Sequence, residues 1–137
     1  MPAGYSGTPL VKKLGLRPGQ RIRLINPPDD YAATLDPMPD GIVIAPSTRG
    51  RLDVVHLFTA SRAELERRIP ALRKAIDPDG MIWVSWPKKS SGVVSDVTED
   101  VIRAIALPTG LVDVKVCAVD ATWSGLKLVI RRELRPG

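Results

Sequence analysis

The chain has 137 residues, and we expect residues 1–137 to form one α/β domain. Its 44% hydrophobic and 26% charged residues exclude wholesale disorder, and no apolar run approaches the roughly 20 residues that span a bilayer. The net charge of +5 comes from scattered basic residues, and aromatic residues are few, so nucleic acid is not an expected partner. A single cysteine excludes an internal disulfide, and residues 1–5 lack a signal-peptide pattern. We therefore expect a cytoplasmic protein without a membrane partner.

The first third of the chain predicts two short helices and two strands. Thr8 and the proline after it are typical of a helix start, and that helix should end at Gly15. Residues 21–25 alternate basic and apolar side chains and predict the first strand, which the Asn-Pro-Pro sequence ends. Residues 29–35 predict a second helix, and residues 42–45 predict a brief second strand.

The middle of the chain predicts a buried strand followed by an amphipathic helix. Residues 52–58 are apolar on both faces, as central parallel strands are. Ser61 and Glu64 have the spacing of a capping box. A single helical stripe follows, and Pro70 within it should kink or split the helix.

The last part of the chain predicts a turn, a strand, a long polar loop, a helix and a closing hairpin. These elements are, in order, residues 77–80, 81–86, 87–96, 98–107, and the pair 111–119 and 123–131. Because only three residues separate the final two strands, those strands should be antiparallel.

This order of elements predicts a Rossmann-like three-layer α/β sandwich with a mostly parallel sheet and a C-terminal antiparallel hairpin. Residues 52–58 and 81–86 should form its buried centre. Residues 46–51 are too few for a helical crossover between the second and third strands. The second strand is therefore expected at an edge of the sheet, or its link crosses as an extended segment.

Two segments resemble class I S-adenosylmethionine-dependent methyltransferases. Residues 14–24, LGLRPGQRIRL, look like the entry to that family's first strand, and residues 76–84, IDPDGMIWV, are similar to the turn into its fifth. The closing hairpin is also similar. The resemblance implies a methyltransferase-like topology, from which one strand–helix unit is missing.

The chain departs from that family at two binding features. Where the resemblance implies a glycine-rich loop after the first strand, this chain has Asn26, Pro27 and Pro28. Prolines lack amide hydrogens and fill the space that glycines leave open. Where the family has a ribose-binding carboxylate, the second strand ends in Ala45 and Pro46. We therefore expect no cofactor and no binding of S-adenosylmethionine.

The whole chain also resembles a family of small, uncharacterised bacterial proteins, a domain of unknown function. The similar segments are residues 3–10, 58–62, 83–89, 113–120 and 123–127. This resemblance supports the same fold and implies no activity, substrate or partner.

Candidate ligand-binding residues lie where strands end, because open α/β sheets bind ligands beyond the carboxyl ends of their strands. They follow the first, third and fourth predicted strands: Asn26, Thr59, Ser61, Trp86, Lys88, Lys89, Ser90 and Ser91. Lysines and hydroxyls are suited to an anion, and Trp86 offers a stacking face. The alternative is a solvated basic loop whose tryptophan fills the core.

The remaining candidates favour structural roles. His56 lies in mid-strand and is interpreted as a core histidine, and Cys117 as an inert buried thiol. Asp53 should lie at the start of its strand and bind backbone amides. Asp120 should stabilise the hairpin turn. No catalytic residue and no metal ligand is predicted.

These observations leave two functional hypotheses. The first is an uncharacterised, non-catalytic methyltransferase-like pseudoenzyme that serves as a binding or interaction module. The alternative is a small enzyme or anionic-ligand-binding protein with a pocket at the carboxyl ends of strands one, three and four. The partner would be a small anionic ligand or a protein.

Overall fold

Six strands form one sheet in the computed structural model, which describes residues 8–35 and 37–136. The strands are β1 (Arg21–Ile25), β2 (Val43–Ile44), β3 (Leu52–Phe58), β4 (Ile76–Pro87), β5 (Leu111–Ala118) and β6 (Trp123–Ile130). The helices are α1 (Leu10–Leu14), α2 (Tyr31–Thr34), α3 (Arg62–Ala75) and α4 (Glu99–Ala106). The predictions made on residues 1–7 lie outside the described residues.

The strand order is β2-β1-β3-β4-β6-β5, so β3 and β4 are the central pair, as predicted. β2, β1, β3 and β4 pair in parallel, while β6 pairs antiparallel with both β4 and β5. β5 therefore runs in the same direction as β4, and β6 alone is reversed. The hairpin prediction is confirmed.

Two apolar layers cover the two faces of the sheet. One layer packs α3 and α4 against Val55 and Leu57 of β3, and it also contains Ile82 and Val84 of β4. The other layer contains α1 and α2 residues, with Val54, Phe58 and Trp83 from the sheet. The indole of Trp83 is fully buried and donates to the Leu14 carbonyl over 3.0 Å. The sheet is thus the middle of three layers.

The link between β2 and β3 crosses β1 as a bent segment without helix or strand. β2 consists of two residues only, and Ile44 is level with Ile22 of β1, which in turn is level with Val54 of β3. The link must therefore cover two strand spacings, about 10 Å, and residues 46–51 can reach about 20 Å. Nη1 of Arg21 donates to the carbonyls of Arg49 and Arg51, both at 2.8 Å. These bonds hold the crossover against the sheet.

Three local predictions are corrected. Helix α1 begins at Leu10, with Pro9 rather than Thr8 as its N-cap. The split predicted at Pro70 does not occur, since helix α3 is continuous through that residue, which lies on the exposed side. Residues 77–80 lie within β4, where the register shifts so that Leu52 pairs with Ile76 but Val54 pairs with Met81. The predicted turn chemistry produces a bulge in the strand rather than its beginning.

Within residues 8–35 and 37–136, no helix has the length and apolar character of a membrane span.

Candidate functional site

Apart from Trp86, which lies within β4, the predicted site residues fall into two groups at the carboxyl ends of the parallel strands. Asn26, Thr59 and Ser61 surround Glu64 at the ends of β1 and β3, and we call these four residues the carboxyl-end cluster. The other group, residues 88–97 after β4, is called the lysine loop. The two groups meet where Asp96 accepts from the Arg62 amide at 2.7 Å and its own amide donates to the Ala60 carbonyl.

Asn26 links the carboxyl ends of β1 and β3 through its side chain. It adopts a left-handed backbone, with φ of 56°, which asparagine tolerates better than most residues. Its side-chain amide donates to the Phe58 carbonyl at 3.3 Å and to a Glu64 carboxylate oxygen at 3.1 Å. Both donors of that amide are therefore engaged within the protein.

Glu64 also lies at this edge of the sheet, although the sequence predicted only a capping-box role for it. One half of that box forms, since the Ser61 hydroxyl accepts from the Glu64 amide at 3.2 Å. The Ser61 amide donates instead to the Thr59 hydroxyl, at 3.1 Å. Burial acts to raise the pKa of Glu64, but hydrogen bonds from Thr59, Arg68 and Asn26 outweigh it and lower the pKa. The carboxylate is thus charged and surrounded by donors from its own chain.

The lysine loop divides its polar groups between internal bonds and solvent. The Lys88 ammonium donates to the Asp120 carbonyl at 2.8 Å, and the Ser91 hydroxyl donates to the Lys88 carbonyl at 2.6 Å. Lys89 and Ser90 are exposed. Trp86 is partly buried and packs against the layer on the α3 side of the sheet.

Behind this edge, His56 joins three secondary-structure elements in a buried network. Nδ1 lies 2.5 Å from the Tyr31 hydroxyl of α2, and Nε2 lies 2.7 Å from the Ser85 hydroxyl of β4. The imidazole stacks on the Phe58 ring with centroids 4.1 Å apart. Burial lowers the pKa of His56 to about 3, so the ring is neutral at physiological pH. The core-histidine prediction is confirmed, whereas no spacing in the sequence indicated its partners.

Three other predictions concern Asp53, Asp120 and Cys117. Asp53 accepts from the Arg21 amide at 2.8 Å, as predicted for a carboxylate at the start of its strand. Asp120 accepts from the amides of Thr122 and Trp123, both at 2.8 Å, and so stabilises the hairpin turn. Cys117 is partly rather than fully buried, and burial raises the pKa of its thiol.

The residues at the ends of β1 and β2 do not fit S-adenosylmethionine. Pro27 and Pro28 have no amide hydrogen to donate, and the amide side chain of Asn26 is bonded internally. β2 is followed by buried Ala45 and then Pro46, which carry no carboxylate for a ribose. Across the part of the chain that the structure describes, no three His, Cys, Asp or Glu residues are grouped as a metal site would require.

The fold is similar to several solved structures. A magnesium protoporphyrin IX methyltransferase from Synechocystis PCC 6803, solved with bound S-adenosylmethionine, aligns with a TM-score of 0.59 and 12% identity over 89% of this chain and 74% of that one. A fibrillarin pre-rRNA processing protein of Methanococcus jannaschii aligns with a TM-score of 0.53 and 10% identity over 90% of this chain and 69% of that one. TrmN from Thermus thermophilus aligns at 0.56, with 14% identity over 89% of this chain and 47% of TrmN.

These alignments establish a class of fold. The chain has a methyltransferase-like Rossmann fold, as predicted, and identities this low carry no conclusion about activity. The chain spans about half the length of TrmN. No family model and no curated protein matches the sequence, so the resemblance to an uncharacterised bacterial family stays a prediction.

Proposed function

We propose that this chain is a methyltransferase-like module that binds a partner and does not transfer methyl groups. The observation that carries the proposal is the closure of the strand ends by Asn26. Its side chain links the Phe58 carbonyl at the end of β3 to the Glu64 carboxylate of α3. Open α/β sheets bind their ligands at this position, and here the polar groups bind one another.

The backbone after Asn26 supports the same conclusion. Anion binding at the turn between a strand and a helix depends on free amides and on a backbone that approaches closely. Pro27 and Pro28 remove two amides and add ring atoms at that turn. Helix α2 then begins at Tyr31, whose buried hydroxyl contacts His56. This segment thus contributes to the core.

The acid–base groups near the site also favour a non-catalytic role. His56 has a pKa of about 3 and is enclosed by Tyr31, Ser85 and Phe58. A general base must be within hydrogen-bond reach of its substrate and have a pKa near the working pH. His56 meets neither requirement.

The lysine loop is the proposed contact surface for a partner. Val93 and Val94 are 47% and 94% exposed, beside exposed Lys89 and Ser90. An acidic protein segment with apolar side chains would complement this combination of charge and apolar surface. The alternative occupant is a small anion at the carboxyl ends of strands one, three and four. Its predicted ligands are Asn26, Thr59, Ser61, Trp86, Lys88, Lys89, Ser90 and Ser91.

Calorimetric titration with S-adenosylmethionine tests the proposal. We expect no binding heat at ligand concentrations up to about 1 mM. The free energy of binding would then be weaker than about −4 kcal/mol, which corresponds to a dissociation constant of about 1 mM. A methyltransferase titrated under the same conditions supplies the positive control. A micromolar dissociation constant for this chain would refute the proposal and favour an enzyme.

A further inference from the structure

A cavity lies between α3 and the crossover that joins β2 to β3. Its volume is about 200 Å³, and it is lined by Thr48 of the crossover and by Arg67, Arg68, Ala71 and Leu72 of α3. This volume is below the roughly 300–1,000 Å³ of sites for drug-sized ligands. The cavity therefore suits a small ligand.

The cavity presents more guanidinium donors than the protein itself uses. Arg68 Nε donates to Glu64 at 3.2 Å, and Arg67 lies 3.8 Å from the same carboxylate oxygen. The two side chains are 33% and 70% exposed. Since each guanidinium has five N–H donors, one shared carboxylate leaves most of them available. A planar guanidinium matches the geometry of phosphate oxygens.

Arg23 adds a third guanidinium on the same face of the sheet. It is two residues from Ile25 on β1, so the two side chains share a face of the sheet, and Ile25 packs in the layer that includes Leu72. Nη1 of Arg23 is 3.4 Å from the Ala45 carbonyl, while its buried Nε has no hydrogen-bond partner within residues 8–35 and 37–136. Buried donors are normally satisfied, so this Nε is an exception, although Arg23 does not itself line the cavity.

We propose that this cavity binds a small phosphomonoester. The phosphate would lie against the guanidinium groups of Arg67 and Arg68, and the Thr48 hydroxyl would add a neutral donor. Ala71 and Leu72 would contact the carbon skeleton of the ligand. Arg67 and Arg68 also contact Glu64 of the carboxyl-end cluster, but none of that cluster's four residues lines the cavity. The proposal therefore does not require the strand ends to bind S-adenosylmethionine.

NMR titration with glycerol 3-phosphate at constant ionic strength tests the proposal, with glycerol as the neutral control. We expect saturable shifts of the amides of Thr48, Ala71 and Leu72 with a millimolar or tighter dissociation constant, and none with glycerol. Arg67→Gln/Arg68→Gln should weaken binding at least about tenfold, because charged hydrogen bonds are lost. Arg62→Gln removes one positive charge from an exposed position on the same helix, as Arg67→Gln alone does, and should leave binding within about twofold.

Arg67→Gln alone serves as the test variant if the double variant is unfolded, since Arg67 makes the longer contact with Glu64. Inorganic phosphate should shift the same amides more weakly. Absence of saturable shifts up to about 20 mM ligand would overturn the proposal. It would also fail if Arg62→Gln weakened binding equally, or if duplex DNA shifted these amides and glycerol 3-phosphate did not.

Discussion

At the scale of single residues, His56 shows how one buried polar group is accommodated within the core layer that contains α1 and α2. It is the only histidine in the chain. Hydroxyl groups from α2 and β4 satisfy both ring nitrogens, which a neutral imidazole permits because it is both donor and acceptor. The network therefore stabilises the packing of α2 on the sheet while the ring stays uncharged.

The pH dependence of stability should report this residue. Unfolded His56 titrates at its ordinary 6.5 and the folded residue at about 3, so the unfolded chain binds the extra proton between these values. The free energy of unfolding should thus fall by about 1.4 kcal/mol per pH unit below pH 6.5. Glu64 and Asp113, whose pKa values are lowered, add to this loss only below their ordinary values of 4.5 and 3.8.

Urea denaturation between pH 6.5 and 5 measures that effect without the carboxylates. His56→Gln removes the titrating group and should give a nearly flat profile in this window, whatever its absolute stability. A wild-type chain whose unfolding free energy is constant over the same window would contradict a neutral, buried His56.

Lys88 and Lys89 form a second residue-scale comparison. Lys88→Ala removes the ammonium bond to the Asp120 carbonyl and should lower the free energy of unfolding by about 1 kcal/mol. Lys89 is exposed, so Lys89→Ala should change it by less than about 0.5 kcal/mol. Chemical denaturation of the two variants measures the difference. Equal effects would mean that the Lys88 ammonium adds nothing to the hairpin.

At the scale of elements, the crossover between β2 and β3 is the least regular part of the fold. The sequence predicted an edge strand with too short a link for a helix, and this was correct. The role of Arg21 was not predictable, because its acceptors are backbone carbonyls in a segment without apolar periodicity. Both residues of β2 are exposed, and the exposed fraction of Val43 is 52%, so this strand contributes little to the core.

Arg21→Ala should therefore loosen the crossover. We expect a loss of about 1–2 kcal/mol in unfolding free energy for the two bonds, and faster amide exchange in β2 and residues 46–51. Arg49→Ala is the matched control, since it removes the same charge and retains the carbonyl that Arg21 binds. Similar exchange rates in both variants would show that charge alone matters there.

The boundaries of elements were predictable where local chemistry acts alone. The Thr98 hydroxyl accepts from the Val101 amide, as a cap should, and Gly15 adopts a left-handed backbone. Local chemistry was insufficient where distant partners compete for the same group. The Glu64 carboxylate bonds Asn26 and Arg68 instead of the Ser61 amide. The Asp-Pro-Asp-Gly turn becomes a bulge because β3 pairs with β4 on both sides of it.

At the scale of the whole molecule, topology was predictable and the contacts between strand ends were not. The alternation of apolar strands and helices was enough to place β3 and β4 at the centre. The closure by Asn26 depends on a left-handed backbone and on acceptors 32 and 38 residues away in the chain. The Asn-Pro-Pro sequence indicated only that the expected glycine loop was missing.

We propose that the strand ends are closed to S-adenosylmethionine, and an NMR titration with that compound tests this at the residues concerned. The amides of Ile25, Asn26, Thr59 and Glu64 report directly on the ends of β1 and β3. With ligand added to about 1 mM, we predict no saturable shift of these signals. Saturable shifts centred on these four amides, with a micromolar dissociation constant, would mean that the strand ends bind S-adenosylmethionine.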